Sequence, residues 1–379
     1  MADNRALDSK CPNCGNVLKW NPTAYAWKCE ACDSLFTLEE LQKRRNSAAA
    51  TDNNVQVKKD EEVTADNNQQ FEDNSKVEEG VKIELTAIKE GEMDEYHCGN
   101  CGASIMTTPE TVATKCPYCN NTTILKQKLD GGVYPTKVIP FKKVRKDAEE
   151  GFYNIAKGKL FAPKDFHVAS KIKDVSGVYV PFWIYDISAN GDIIFSCTDT
   201  RSWTSGEYRH TEVKTFHTTI NGDIKYVKLP VDGSSHFDDG LMDSIEPFDY
   251  NELKDYNHAY LSGFLAEKYD VNEQQAFARA VARAKASTID TYGSKTRHQT
   301  ETPIKDSVTY RIENVEFAMF PVWMVNIEYN GKFYTFAMNG QTGEIVGNIP
   351  ISWGRVILFT SLFFIVVCAV LFLLLGGLF

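Results

Sequence analysis

Four C-x-x-C pairs constrain this chain more than any other feature: Cys11/Cys14, Cys29/Cys32, Cys98/Cys101 and Cys116/Cys119. They form two modules. Within each module 14 residues separate the pairs, and every cysteine of the second module lies 87 positions after its counterpart in the first. Two cysteines separated by two residues can grip one metal from a tight turn. A second pair completes a tetrahedron, so tandem pairs with a short spacer read as a four-thiolate zinc site. Gly15 and Gly102, each following the second cysteine of a pair, permit the left-handed backbone such a turn often needs. The spacing therefore predicts two structural Zn2+ sites, one on Cys11, Cys14, Cys29 and Cys32 and one on Cys98, Cys101, Cys116 and Cys119. With four thiolates each, both are closed to a catalytic water. Iron also suits four thiolates. Disulfides are the remaining alternative, disfavoured because the N-terminus MADNRALDSK is polar and lacks an export signal, which implies a reducing compartment.

The opposite end of the sequence raises a different expectation. Residues 356–379, VILFTSLFFIVVCAVLFLLLGGLF, carry no charge. A helix of that length spans roughly 36 Å, against a hydrocarbon core of about 30 Å. Arg355 and Trp353 precede it, as a positive-inside charge and an interfacial aromatic would. The expectation is a transmembrane tail anchor, with the protein at the cell membrane as a single-pass chain, its bulk cytoplasmic and the bilayer a partner.

Charge is unevenly spread. The net charge of the chain is -10, but residues 51–96 carry a net of -9 and residues 97–175 a net of +6. The acidic block is rich in Asn, Gln, Asp and Glu with few large apolar residues, and so reads as a flexible linker.

The motifs CPNCGN and CEAC, and again CGNCGA and CPYC, resemble the zinc ribbons of transcription factor IIB and of primosomal helicases. With TKVIPFKK (136–143), SGVYVPFWIYDI (176–187) and the tail, the whole chain resembles bacterial tail-anchored zinc-ribbon membrane proteins, similar to those encoded near phage-shock-protein-A-like membrane-stress proteins. That resemblance implies a role in membrane-stress response. Only the eight cysteines carry over residue by residue. A helicase is excluded: no GxxxxGK[ST] occurs, and GSKT at 293–296 lacks the upstream glycine of a phosphate loop.

The organisation expected is zinc ribbon 1 over 1–45, an acidic linker over 46–95, zinc ribbon 2 over 96–130, an α+β domain over 131–350 and the tail over 356–379. Within the domain, PFWIYDISANGDIIF (181–195) aligns without a gap on PVWMVNIEYNGKFYT (321–335), 140 positions later. Each copy reads as a strand, an Asn-Gly turn and a returning strand. An internal duplication explains this, as does convergent hairpin chemistry. Further Asn-Gly pairs stand at 221–222 and 339–340. Helices are expected over 146–161, with Ala148, Phe152, Ile155 and Ala156 on one face, and from Asn272, with Gln275 completing a capping box and Phe277, Ala280, Val281, Ala284 and Thr288 as the packing stripe. The expected fold class is thus α+β: two small four-cysteine zinc ribbons, an antiparallel β-rich duplicated domain with covering helices, and one C-terminal transmembrane helix.

No catalytic constellation emerges. His210 and His217 fall on opposite faces of a strand, Cys197 has no partner by motif, and Asp238, Asp239, Asp243 and Glu246 lack the spacing of a calcium loop. The chain is therefore expected not to be an enzyme. The reading is a membrane-anchored adaptor recruiting soluble protein partners. The alternative is a nucleic-acid-binding protein, with Trp20, Tyr25 and Trp27 stacking bases beside Lys19 and Lys28, and a basic band of Lys126, Lys128, Lys142, Lys143, Arg145 and Lys146, extended by Arg279 and Arg283. The acidic total opposes that alternative.

Overall fold

Two neighbouring strands set the architecture. In this computed structural model β10 (Lys171–Ser205) and β15 (Thr309–Tyr329) pair antiparallel, and their central residues are buried on both faces. Tyr179, Trp183, Tyr185 and Ile187 face one core with Phe317, Met319, Trp323 and Val325. Val178, Val180, Phe182 and Ile184 face a second core with Ala318, Phe320, Val322 and Met324. Period-two alternation is present, but both sets are apolar, as expected of strands covered on two sides. The structure describes residues 11, 16–38, 40–41, 72–78, 80, 83, 85–88, 93–107, 115–119, 121, 124–127, 133–163, 165–166, 171–236 and 239–376.

Helix α1 (Arg145–Gly158) and the later helix α3 (Glu273–Gly293) cover the first core, burying Ala148, Phe152 and Ala156 from one and Ala276, Ala280 and Ala284 from the other. Helix α3 starts at the capping box of Asn272 and Gln275. The second core is closed by the short helix α2 (Asp239–Ser244) and the following stretch, through Met242, Ile245 and Phe248.

The two aligned segments are direct neighbours. Val180 pairs with Phe320, the residue 140 positions later, and the register runs symmetrically outward: Tyr179 with Pro321, Pro181 with Met319. Short strands β9 (Lys137–Val138) and β13 (Leu265–Glu267) flank the pair. Each is parallel to the long strand of the other half: Lys137 pairs with Ala318, and Leu265 with Val178. The indoles repeat the pattern. Trp183 donates to the carbonyl of Val271, just before the α3 cap, at 2.9 Å, and Trp323 to that of Lys143, just before the α1 cap, also at 2.9 Å. The order β9-β15-β10-β13 is thus a pseudo-two-fold sheet.

One pair of turns departs from expectation. Asn330-Gly331 forms a two-residue hairpin between β15 and β16 (Lys332–Asn339), with φ of 50° and 72° as a type I′ turn requires. Asn190-Gly191 forms no turn. Strand β10 runs through it for 35 residues and returns as the 25-residue β11 (Tyr208–Asp232), with Gly191 opposite Gly222. Gly191 needs glycine, and Gly222 leaves a side chain little room. Gly191 has φ of 148° and a Cβ would lie 2.6 Å from the Ser307 carbonyl, while a Cβ on Gly222 would lie 3.0 Å from the Tyr292 hydroxyl.

This continuation corrects the α+β expectation: the chain is mostly β-sheet, because segments read as short hairpins are long strands. The sheet is mixed, not purely antiparallel. Strands β4 (Glu72–Asp73) and β5 (Lys76–Glu78), from the acidic segment, join it parallel to β14 (Thr300–Asp306) and β15. Strands β12 (Lys254–Asp255) and β17 (Ile345–Gly347) complete its edges. Residues 46–71 of the expected linker lie outside the described residues.

The tail reading is also corrected. Helix α4 (Trp353–Gly376) carries this segment, but among the described residues no helix is long and apolar enough to cross a membrane. The single-pass, cytoplasm-facing cell-membrane localisation rested on that span and falls with it, and the bilayer contact loses the same support.

Candidate metal centres

Ribbon 1 is a three-stranded sheet of β1 (Leu18–Asn21), β2 (Ala26–Cys29) and β3 (Leu35–Phe36). Ribbon 2 is built from β6 (Asp94–Cys98), β7 (Ser104–Thr107) and β8 (Ile124–Gln127). All four C-x-x-C turns share one backbone device. The amide of the first cysteine donates to the carbonyl five residues on: Cys11 to Asn16 at 2.5 Å, Cys29 to Ser34 at 2.9 Å, Cys98 to Ala103 at 2.9 Å and Cys116 to Asn121 at 2.9 Å. Gly102 adopts φ of 81°, the left-handed conformation anticipated after the second cysteine. Cys14 and Gly15 lie outside the described residues.

The sulfurs converge. In ribbon 2 the Sγ atoms of Cys98, Cys101, Cys116 and Cys119 all lie within 4.8 Å of one another, and in ribbon 1 so do those of Cys11, Cys29 and Cys32. Cys98 lies 3.6 Å from Cys119, Cys101 3.5 Å from Cys116, and Cys11 3.6 Å from Cys32. A tetrahedron with metal–sulfur bonds of about 2.3 Å has an edge of about 3.8 Å, whereas a disulfide needs about 2.05 Å. Both clusters could therefore bind a metal.

Burial disfavours a bare thiolate at two positions of ribbon 2. It pushes the Cys116 thiol well up and that of Cys101 to about 11. Burial also acts upward on Cys119, but hydrogen bonds from Asn100, Asn121 and the neighbouring cysteines outweigh it and bring the thiol down to about 7. A bound cation would supply the missing positive charge.

The ribbons are attached differently. Ribbon 2 continues the main sheet: Met106 and Ile105 of β7 pair with Ala266 and Glu267 of β13. The Asn326 amide also donates to Pro117, between the cysteines of the last pair, at 2.7 Å. Ribbon 1 shares no ladder with that sheet among the described residues. Its hairpin docks through tryptophans instead. Trp20 donates to the Phe141 carbonyl at 2.9 Å and Trp27 to that of Ala259 at 2.8 Å, with the Tyr260 ring 5.1 and 4.8 Å from theirs. The Ser262 hydroxyl donates to the Leu18 carbonyl. Both tryptophans are buried, so they are not presented for base stacking.

Four of the six cations in the basic band are paired within the chain: Lys126 with Asp94 at 2.5 Å, Lys142 with Glu252, Arg145 with Glu149 at 3.0 Å and Lys146 with Glu150 at 3.4 Å; Lys128 lies outside the described residues. Arg279 pairs with Asp232 at 2.5 Å and Asp243 at 3.0 Å, and Arg283 with Asp243 and Glu246 at 3.3 Å. The acidic patch and the helix arginines, read separately from sequence, thus neutralise each other. Asp238 and the side chain of Asp239 are not described. Cys197 is buried and pairs across the strand with Phe216, and His210 stacks on Trp203 at 5.5 Å while His217 pairs with Ser196.

One cluster escaped the sequence. Behind the Gly102 knuckle His236 lies 3.1 Å from the fully buried Glu267, which also accepts from Ser234 at 2.6 Å. The carboxylate beside His236 holds its imidazole above the ordinary value, while burial pushes Glu267 itself up. No spacing rule connects residues 31 positions apart, so no sequence signal pointed here.

A Bacillus subtilis (strain 168) protein, the uncharacterized protein YdjG, is 33% identical over 352 residues, covering 92% of this chain and 92% of its own length. The chain belongs to the YdjG family. No protein-family model and no solved structure matches it.

Proposed function

We propose that this chain is a zinc-ribbon scaffold that recruits soluble protein partners. Zn2+ is the metal of both quartets in this reading, because soft thiolates in a closed tetrahedral set suit it and leave no site for substrate. The ribbons then act as structure, not as catalysts.

The observation that carries the reading is the arm made by β10 and β11. It continues past the Gly191/Gly222 pair, the position at which the other half of the pseudo-two-fold turns back. Strand β14 braces its base as far as Thr198, and Gln299 holds Thr200 through bonds of 2.7 and 3.1 Å. Beyond that the arm exposes Trp203, Tyr208 and Val213. An insertion into one half of a duplicated scaffold, rigidly braced and tipped with Trp and Tyr, suits a protein-binding element. Its charges are nearly balanced, with four acidic and three basic residues over 192–221. That lacks the basic footprint of a nucleic-acid site, and the burial of Trp20 and Trp27 leaves Tyr25 as the exposed ring of the three that the nucleic-acid alternative invoked.

Affinity capture with the full chain and with a Trp203→Ala/Tyr208→Ala variant tests this. Reproducible protein partners should be lost from the variant while it keeps both metals. An unchanged partner set, or filter binding to nucleic acid with a steep salt slope, would contradict it.

A further inference from the structure

We infer that ribbon 1 is a metal-dependent plug seated in a protein-docking socket formed by Phe141, Ala259, Tyr260 and Ser262. The inference rests on the metal reading of the cysteine quartets. Among the described residues the docking bonds come from the β1–β2 hairpin: the indoles of Trp20 and Trp27 to the carbonyls of Phe141 and Ala259, the Trp20 amide to the Ser262 carbonyl at 3.4 Å, and the Leu18 carbonyl receiving the Ser262 hydroxyl. The metal ligands grip that same hairpin at its other end. Leu18 pairs with the ligand Cys29, and Trp20 with Trp27, so the docking rings lie two residues along the hairpin from the Leu18/Cys29 pair.

Ribbon 1 has no apolar core of its own. Cys11, Leu18, Trp20, Trp27, Cys29, Phe36 and Leu41 form one cluster with the core beneath the sheet, whereas ribbon 2 keeps a separate cluster of Tyr96, Cys98, Ala103, Ile105 and Cys116. A module this small holds its hairpin through the metal, through the socket, or through both. Chelation and docking are then linked equilibria, and each must strengthen the other by the same factor. The metal side is accessible, because Cys32 is exposed. Losing the metal frees the hairpin and uncovers Tyr260 and the carbonyls of Phe141 and Ala259. The uncovered surface fits a protein segment that offers aromatic rings, indole donors and a carbonyl acceptor for the Ser262 hydroxyl, as ribbon 1 does.

The test uses the full chain loaded with Zn2+ and titrated with EDTA. Metal equivalents are followed by elemental mass spectrometry, and hydrogen exchange is read at 139–143, 257–263 and β6–β7. The first equivalent should leave alone, with exchange in the two socket segments rising by about tenfold or more while β6 and β7 stay protected. Trp27→Phe, which keeps a ring but removes the indole donor, should speed release of that equivalent by about fivefold or more. Unchanged socket protection after the first equivalent has gone would overturn the inference, as would loss of both equivalents in one step or an unaltered release rate in Trp27→Phe. A chain that loads no metal at either ribbon would overturn the metal reading as well.

Discussion

Ribbons 1 and 2 have the same cysteine spacing and the same backbone bond at every knuckle, yet they are held by opposite means. Ribbon 2 is an extension of the sheet, tied by ladder hydrogen bonds to β13 and carrying its own small core. Ribbon 1 is a separate sheet seated mainly by side chains, with one backbone bond from Trp20 to Ser262, and its core is borrowed. One motif can thus be a structural edge in one place and a removable contact in another. What differs is which groups satisfy the flanking backbone.

The sharpest way to break that comparison is to remove one ligand from each ribbon. Cys116→Ser should lower global stability by about 4 kcal/mol or more, because it leaves buried thiols inside a continuous sheet. Cys29→Ser should leave the main unfolding transition near its wild-type midpoint; chemical denaturation of the two variants checks both. Next in size, Trp27→Ala removes a ring that is 1% exposed. It should cost about 3 kcal/mol of ribbon 1 docking, visible as faster exchange at 257–263 with β6 and β7 unchanged.

A pH series sharpens the ribbon 2 side. The raised pKa of His236 means that its contribution is fully present below the ordinary imidazole value near 6.5 and is lost as pH rises through the folded value. The raised Glu267 carboxyl acts in the same direction, since its protonated form is favoured in the fold. Urea midpoints should therefore fall from pH 6 to pH 8, and His236→Gln should flatten that slope without altering release of the ribbon 1 metal. The smallest expected effect is that of Ser262→Ala. It deletes one hydroxyl donor to Leu18 and should weaken docking by about 1 kcal/mol, read as a modest rise in exchange of the β1 amides.

The legible parts of this fold were those written in local chemistry. The cysteine spacing located both clusters, and the Asn272/Gln275 box located the start of α3. Asn330-Gly331 makes the turn that its residues favour. The same dipeptide at 190–191 does not, because long-range pairing with Asp223 and Gly222 overrides it, with Ser307 and Val308 packed against Gly191 and Tyr292 against Gly222. Nothing local distinguishes the two. Trp20 and Trp27 were ambiguous for a similar reason: a ribbon tip with exposed rings and one with docked rings have the same sequence, and the answer lies in Tyr260, more than 200 positions away. The arginines of α3 looked like a basic surface until the acidic stretch around Asp243 folded back onto them.

X-ray absorption on the purified full chain, with metal content measured on the same sample, tests the central claim most directly. The account predicts two metal ions per chain, each with four sulfur neighbours at about 2.3 Å, and one such ion in Cys116→Ser. Fewer than two ions in the unaltered chain, or a shell containing nitrogen or oxygen in place of sulfur, would contradict it.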